Sequence, residues 1–65
     1  MMIFRLTNGD DLITYFLCGE VGKVVFRSLE DRQSTTEKMT REQVWEHWHA
    51  QLDKGYVPAK ISKLA

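Results

Sequence analysis

TREQVWEHWHAQLDKG, residues 40–55, carries both tryptophans and both histidines of the chain, and both of its ends are marked. Thr40 is an N-cap residue, and Gln43, three positions on, completes a capping box. Met39 before the cap and Val44 inside the first turns fit a hydrophobic staple. Gly55 suits the left-handed position that ends a helix, and Pro58 follows shortly after. The expectation is a helix over about 41–54. At about 100° per residue, Val44, Trp45, Trp48 and Leu52 fall within one arc, while Glu42, Glu46, His49 and Asp53 lie on the other side. Such a stripe needs a surface to lie on, and the preceding residues must supply it.

Those residues read as strands. Met2 to Thr7 (MIFRLT) is rich in strand formers and runs into Asn8-Gly9, the strongest short hairpin signal. A two-residue loop at Asn8-Gly9 would set Thr7 opposite Asp10 and Phe4 opposite Ile13. Met2, Phe4, Leu6, Ile13, Tyr15 and Leu17 then share one face. Gly19-Glu20-Val21-Gly22 reads as a four-residue turn, after which Lys23 to Leu29 forms a third strand and adds Val24 and Phe26 to that face. Thr35 to Met39 reads as a short fourth strand or as an extended entry to the helix. In the tail, Tyr56–Ala65, the alternation of Val57, Ala59 and Ile61 suggests an edge strand, or else packing of Tyr56 and Ile61 against the helix end. The fold class is therefore α+β, within a single domain spanning 1–65. It is a small antiparallel meander of three to four strands, from residue 2 to about 39, with one amphipathic helix on one face and a short extended C-terminal tail.

Bulk properties narrow the function. Sixty-five residues lie near the lower limit for a self-sufficient core, which raises the expectation of oligomerisation. Cys18 is the only cysteine, so neither an internal disulfide nor a cysteine-rich zinc site can form. Nine basic residues balance nine acidic ones, unlike a strongly basic nucleic-acid binder. No apolar run reaches the length of a membrane span. The N-terminal apolar residues alternate with polar ones, unlike the apolar core of a signal peptide. A lone thiol suits a reducing compartment, and the expected location is cytoplasmic.

Catalytic signals are sparse. The glycines sit at turns and match no phosphate-binding loop. Cys18 has no histidine placed beside it and reads as a buried or half-buried small hydrophobe. His47 and His49 point some 200° apart on a helix. His49 does share an arc with Glu46 and Asp53, and these three are the residues a metal would use, although an exposed arc on one helix lacks supporting groups. Trp45 and Trp48 read as core rather than as a binding platform. The expectation is no enzyme, no cofactor and no bound metal.

The alternate positions of the strands carry the functional hint. Ile3, Arg5, Leu12, Thr14, Phe16, Val25, Arg27 and Leu29 fall on the second sheet face, and five of these eight are apolar. One helix shields one side of a sheet, so the other meets the tail or another molecule. The expected function is a small non-enzymatic protein-interaction module that self-associates as a homodimer or binds a partner protein. Its contact residues would be Ile3, Arg5, Leu12, Thr14, Phe16, Val25 and Arg27. The alternative on the same face is a single-stranded nucleic-acid binder in which Phe16 stacks a base and Arg5 and Arg27 meet phosphates. The motif Tyr56-Val57-Pro58-Ala59, together with the chain's size, resembles small phage-encoded inhibitors of host polymerases. That resemblance implies a small inhibitor of a host protein and assigns no residue a role.

Overall fold

A computed structural model describes residues 1–59. Four strands run in sequence, β1 (Met2–Thr7), β2 (Asp11–Cys18), β3 (Val21–Ser28) and β4 (Ser34–Thr40). They are followed by the helix α1 (Arg41–Asp53) and a last strand, β5 (Val57–Ala59). They form one antiparallel sheet of order β4-β3-β2-β1-β5. The α+β class holds, and the sheet is larger than the three to four strands expected. The threonine-rich stretch before the helix is a full strand, and the tail returns to pair with β1 at the far edge.

Both early hairpins turn on a glycine at the first loop position. In the first, Asn8 N–H donates to Asp11 O at 3.4 Å, so the loop is Gly9-Asp10, one residue later than an Asn-Gly turn would have it. Gly9 takes φ 97°. Asn8 keeps a negative φ and instead uses its side chain, whose Oδ1 accepts from the N–H groups of Asp10 and Asp11 at 2.9 and 2.8 Å. In the second hairpin Cys18 pairs with Val21 across Gly19-Glu20, with Gly19 at φ 62°. The four-residue turn expected over 19–22 is thus a two-residue one, and β3 begins at Val21. The chain favours turns with glycine first because their twist matches that of the strands. Each correction moves the pairing by two residues, as in Phe4 opposite Tyr15 and Tyr15 opposite Val24. A two-residue move leaves every side chain on its face. β3 ends at Ser28, so Leu29 lies in the loop to β4 rather than on the outer face. Arg32 closes that loop at φ 61°.

The helix start agrees with its sequence. Thr40 Oγ1 accepts from Gln43 N–H at 3.2 Å, and Gln43 Oε1 accepts from Thr40 N–H at 3.0 Å. The helix ends at Asp53, Lys54 caps it, and Gly55 follows at φ 101°. Leu6, Ile13, Tyr15, Leu17, Val24 and Val44 form the buried core. Phe4, Met39, Trp45, Trp48, Leu52 and Tyr56 pack around it. Phe4 stacks on Trp45 with ring centres 5.1 Å apart and meets the edge of Trp48 at 5.0 Å. Met2 and Phe26 share this face yet are 48% and 36% exposed.

Gly22 lies inside β3, opposite Met39, and not in a turn. A Cβ there would overlap Val44 Cγ2 and come within 3.2 Å of Met39 O. The missing side chain lets the helix settle against the backbone of β3. The tail follows the helix into the sheet edge, with Thr7 opposite Val57 and Leu6 opposite Pro58. Tyr56, just before, donates its hydroxyl to Asp11 Oδ2 at 3.3 Å. The expected place of Ile61 lies outside the described residues.

Candidate binding face

The register lays out the side of the sheet away from the helix as a grid. One row reads Val57, Thr7, Leu12, Arg27, Ser34 from β5 to β4. The next reads Ala59, Arg5, Thr14, Val25, Thr36, and the third Ile3, Phe16, Lys23, Lys38. Cys18, Val21 and Thr40 continue at the far end. Seven of the eight residues that the strand pattern assigns to this face therefore share it, and Leu29, beyond the end of β3, does not. The apolar side chains concentrate on β1, β2 and the middle of β3, and the cations on β3 and β4, with Arg5 among the apolar group.

No described element covers this face. Ile3 and Val21 are 43% and 64% exposed, and Leu12, Phe16 and Val25 are half-buried by their neighbours alone. Thr14 is buried, its Oγ1 accepting from Arg5 Nε at 3.3 Å, which lays the arginine stem along the sheet. Met1, Phe16, Cys18, Val21, Gly22 and Lys23 line a cleft of about 150 Å³ whose walls are mostly apolar. Cys18 is thus an exposed thiol at the rim of this cleft and not a buried one.

Strand parity alone assigns Lys23 to this face, and the seven-residue set omits it. Lys38 needed β4 and its register. The two lysines are direct cross-strand partners. Like charges directly opposed on a sheet are destabilising, by up to about 1 kcal/mol. Among the described strands no aspartate or glutamate shares the face with Arg5, Lys23, Arg27 and Lys38. Asp11 and Glu37 have the other parity and face the helix side.

The opposite surface differs in kind. Glu42, Glu46, His49 and Asp53 are exposed on α1. Among the described residues no three His, Cys, Asp or Glu side chains are gathered closely enough to hold a metal ion, so Glu46, His49 and Asp53 form no such cluster. A wider depression at the start of α1, lined by Glu20, Thr40, Arg41, Glu42 and Trp45, mixes both signs of charge. Arg41 spans it by donating to Gly19 O at 3.0 Å.

Residue order gives no role to His47, whose ring the structure ties to the core. Its Nδ1 lies 2.6 Å from Tyr15 Oη, and the two rings meet edge to face. Burial lowers the His47 pKa, Glu37 acts against that shift, and Lys54 adds to it. Burial also pushes the Tyr15 hydroxyl up to about 12, with Tyr56 contributing. The pair is neutral at ordinary pH and joins the helix to the middle strand.

No family model matches the chain. Searches of curated proteins and of solved structures give no match either.

Proposed function

We propose that this protein is a small non-enzymatic binding module whose outer sheet face, Ile3, Arg5, Leu12, Thr14, Phe16, Val25 and Arg27, docks another protein. The observation that carries the reading is a sheet with two apolar faces and one helix. α1 lies on the face of Leu6, Ile13 and Tyr15, and no described element lies on the other. Contiguous exposed apolar surface with a polar rim marks interaction sites. A small inhibitor of a host protein would be one member of this class.

Self-association through this face is the weaker form of the reading. A two-fold pairing of identical patches would bring Arg5, Lys23, Arg27 and Lys38 of one copy near those of the other. The nucleic-acid alternative draws support from those cations. Against it, the apolar side chains beside Phe16 are aliphatic and give bases no ring to stack on.

The test is a photo-crosslinking amino acid at Val25, with the same probe at Glu46 on the helix as control, in the native host. The expected result is one discrete adduct from position 25 and none from position 46. Equal labelling from both positions, or none from position 25, overturns the reading. Sedimentation velocity of the purified chain separates a self-adduct from a foreign partner.

A further inference from the structure

The outer face has a sign as well as a texture. Four cations and no carboxylate stand on it among the described strands, although the chain as a whole is neutral. Lys23 and Lys38 are directly opposed, an arrangement that costs the isolated sheet stability and that a bound anion relieves. Beside Lys23 opens the cleft of Met1, Phe16, Cys18 and Val21. Its volume of about 150 Å³ is on the scale of apolar cavities that accept one benzene-sized group.

We infer that the partner of this face is an acidic segment of another protein with an apolar anchor side chain. The anchor enters the cleft between Phe16 and Val21, and flanking carboxylates meet Lys23 and Lys38 first, then Arg27 and Arg5. Arg5 is already aligned over Thr14, so its guanidinium is pre-organised to receive a carboxylate. The inference rests on the outer-face reading and adds the chemistry of the occupant. Complementary charge sets encounter rate and specificity, while the desolvated anchor holds the complex.

The test is a chemical-shift titration of the full chain with matched synthetic peptides of equal length, in which leucine alternates with glutamate, serine or lysine. A glutamate-only peptide and a single-stranded oligodeoxythymidine complete the set. The leucine–glutamate peptide is expected to shift the amides of Phe16, Val21, Lys23 and Lys38 and to bind at least about tenfold tighter than the leucine–serine one. Lys38→Glu should remove most of that advantage, and Lys54→Glu, at the helix end, should leave it intact. Equal binding of all three leucine peptides at this face overturns the acidic partner and leaves the docking face standing. Shifts on this face from no probe overturn both. Equal affinity for the glutamate-only peptide removes the anchor, and tighter binding of the oligonucleotide assigns the face to nucleic acid instead. Nuclear Overhauser contacts from Ile61 or Leu64 to Leu12, Phe16 or Val25 in the free protein would make the chain's own tail the occupant and overturn the inference.

Discussion

Val24 and Val25 are adjacent in β3, and their side chains meet different worlds. Val24 is 5% exposed beneath the helix, beside Tyr15. Val25 points the other way, beside Thr14 and Thr36, with no described element above it. The two faces of the sheet have similar strand chemistry and differ in what lies on them. On the inner face one helix supplies Val44 and the tryptophans, which complete the core. The outer face carries Ile3, Leu12, Phe16 and Val25 with no described layer over them, and it adds four cations that a core would not tolerate unpaired. Hydrophobicity alone therefore does not separate the covered face from the uncovered one. The charged positions among its rows do.

The largest test of this contrast compares two leucines. Leu6→Ala, on the inner face, should cost about 2–5 kcal/mol in urea denaturation, as buried truncations do. Leu12→Ala, on the outer face, should cost about 1 kcal/mol, in keeping with its partial burial. Equal losses would mean that the outer face is covered in the free protein.

Gly22→Ala comes next, at about 1–3 kcal/mol. The new methyl must displace Val44 or lift the helix from β3, so near-ultraviolet circular dichroism of the tryptophans should change with it. Gly19→Ala is the informative comparison. Its cost comes from the positive φ alone, because nothing lies within 4 Å of the added carbon.

The Tyr15–His47 contact gives an intermediate effect and a pH signature. Tyr15→Phe leaves His47 Nδ1 without its partner and should cost about 1–2 kcal/mol. In the folded state burial holds the His47 pKa below its ordinary value of 6.5. The unfolded chain therefore binds the proton more readily, and stability falls as pH drops through and below 6.5. At the alkaline end the Tyr15 pKa, raised from 10.0 to about 12, makes stability decline as pH rises across that interval. His47→Gln should flatten the acid limb of a midpoint-against-pH curve.

The smallest effect has the more telling sign. Lys38→Glu replaces an opposed like-charge pair by an opposite-charge pair across β3 and β4. It should stabilise the free protein by about 0.2–1 kcal/mol while weakening the acidic partner. A thermal melt and the peptide titration on the same sample check both halves. Lost stability would mean that Lys38 has an intramolecular role, and the contrast between the faces would lose its electrostatic part.

Much of this was legible in residue order, for identifiable reasons. Thr40, Gln43 and Gly55 mark helix ends through local hydrogen bonds and backbone preference, which neighbouring residues decide. The inner set, and the outer set apart from Leu29, survive two misplaced turns because each misplacement moves the pairing by two residues, and parity is blind to such a move. Gly22 and His47 were missed because their roles come from across the structure. One makes room for Val44, and the other answers a hydroxyl from β2. Lys38 was hidden because threonines beside Glu37 and Lys38 fit a strand or a linker equally well until β3 pairs with them. The acidic arc of the helix was read correctly as exposed, since one helix can bury only one stripe.

The two borders of the sheet differ in a way that bears on growth. β5 ends one side with three residues, and Pro58 in the middle has no N–H to offer a newcomer. β4 ends the other with seven residues and neither proline nor glycine. A copy that added its own β4 there would use the only long border available among the described residues of each molecule. The product would be a ten-stranded pair whose outermost described strands both carry Pro58, which offers a further copy no N–H at that position.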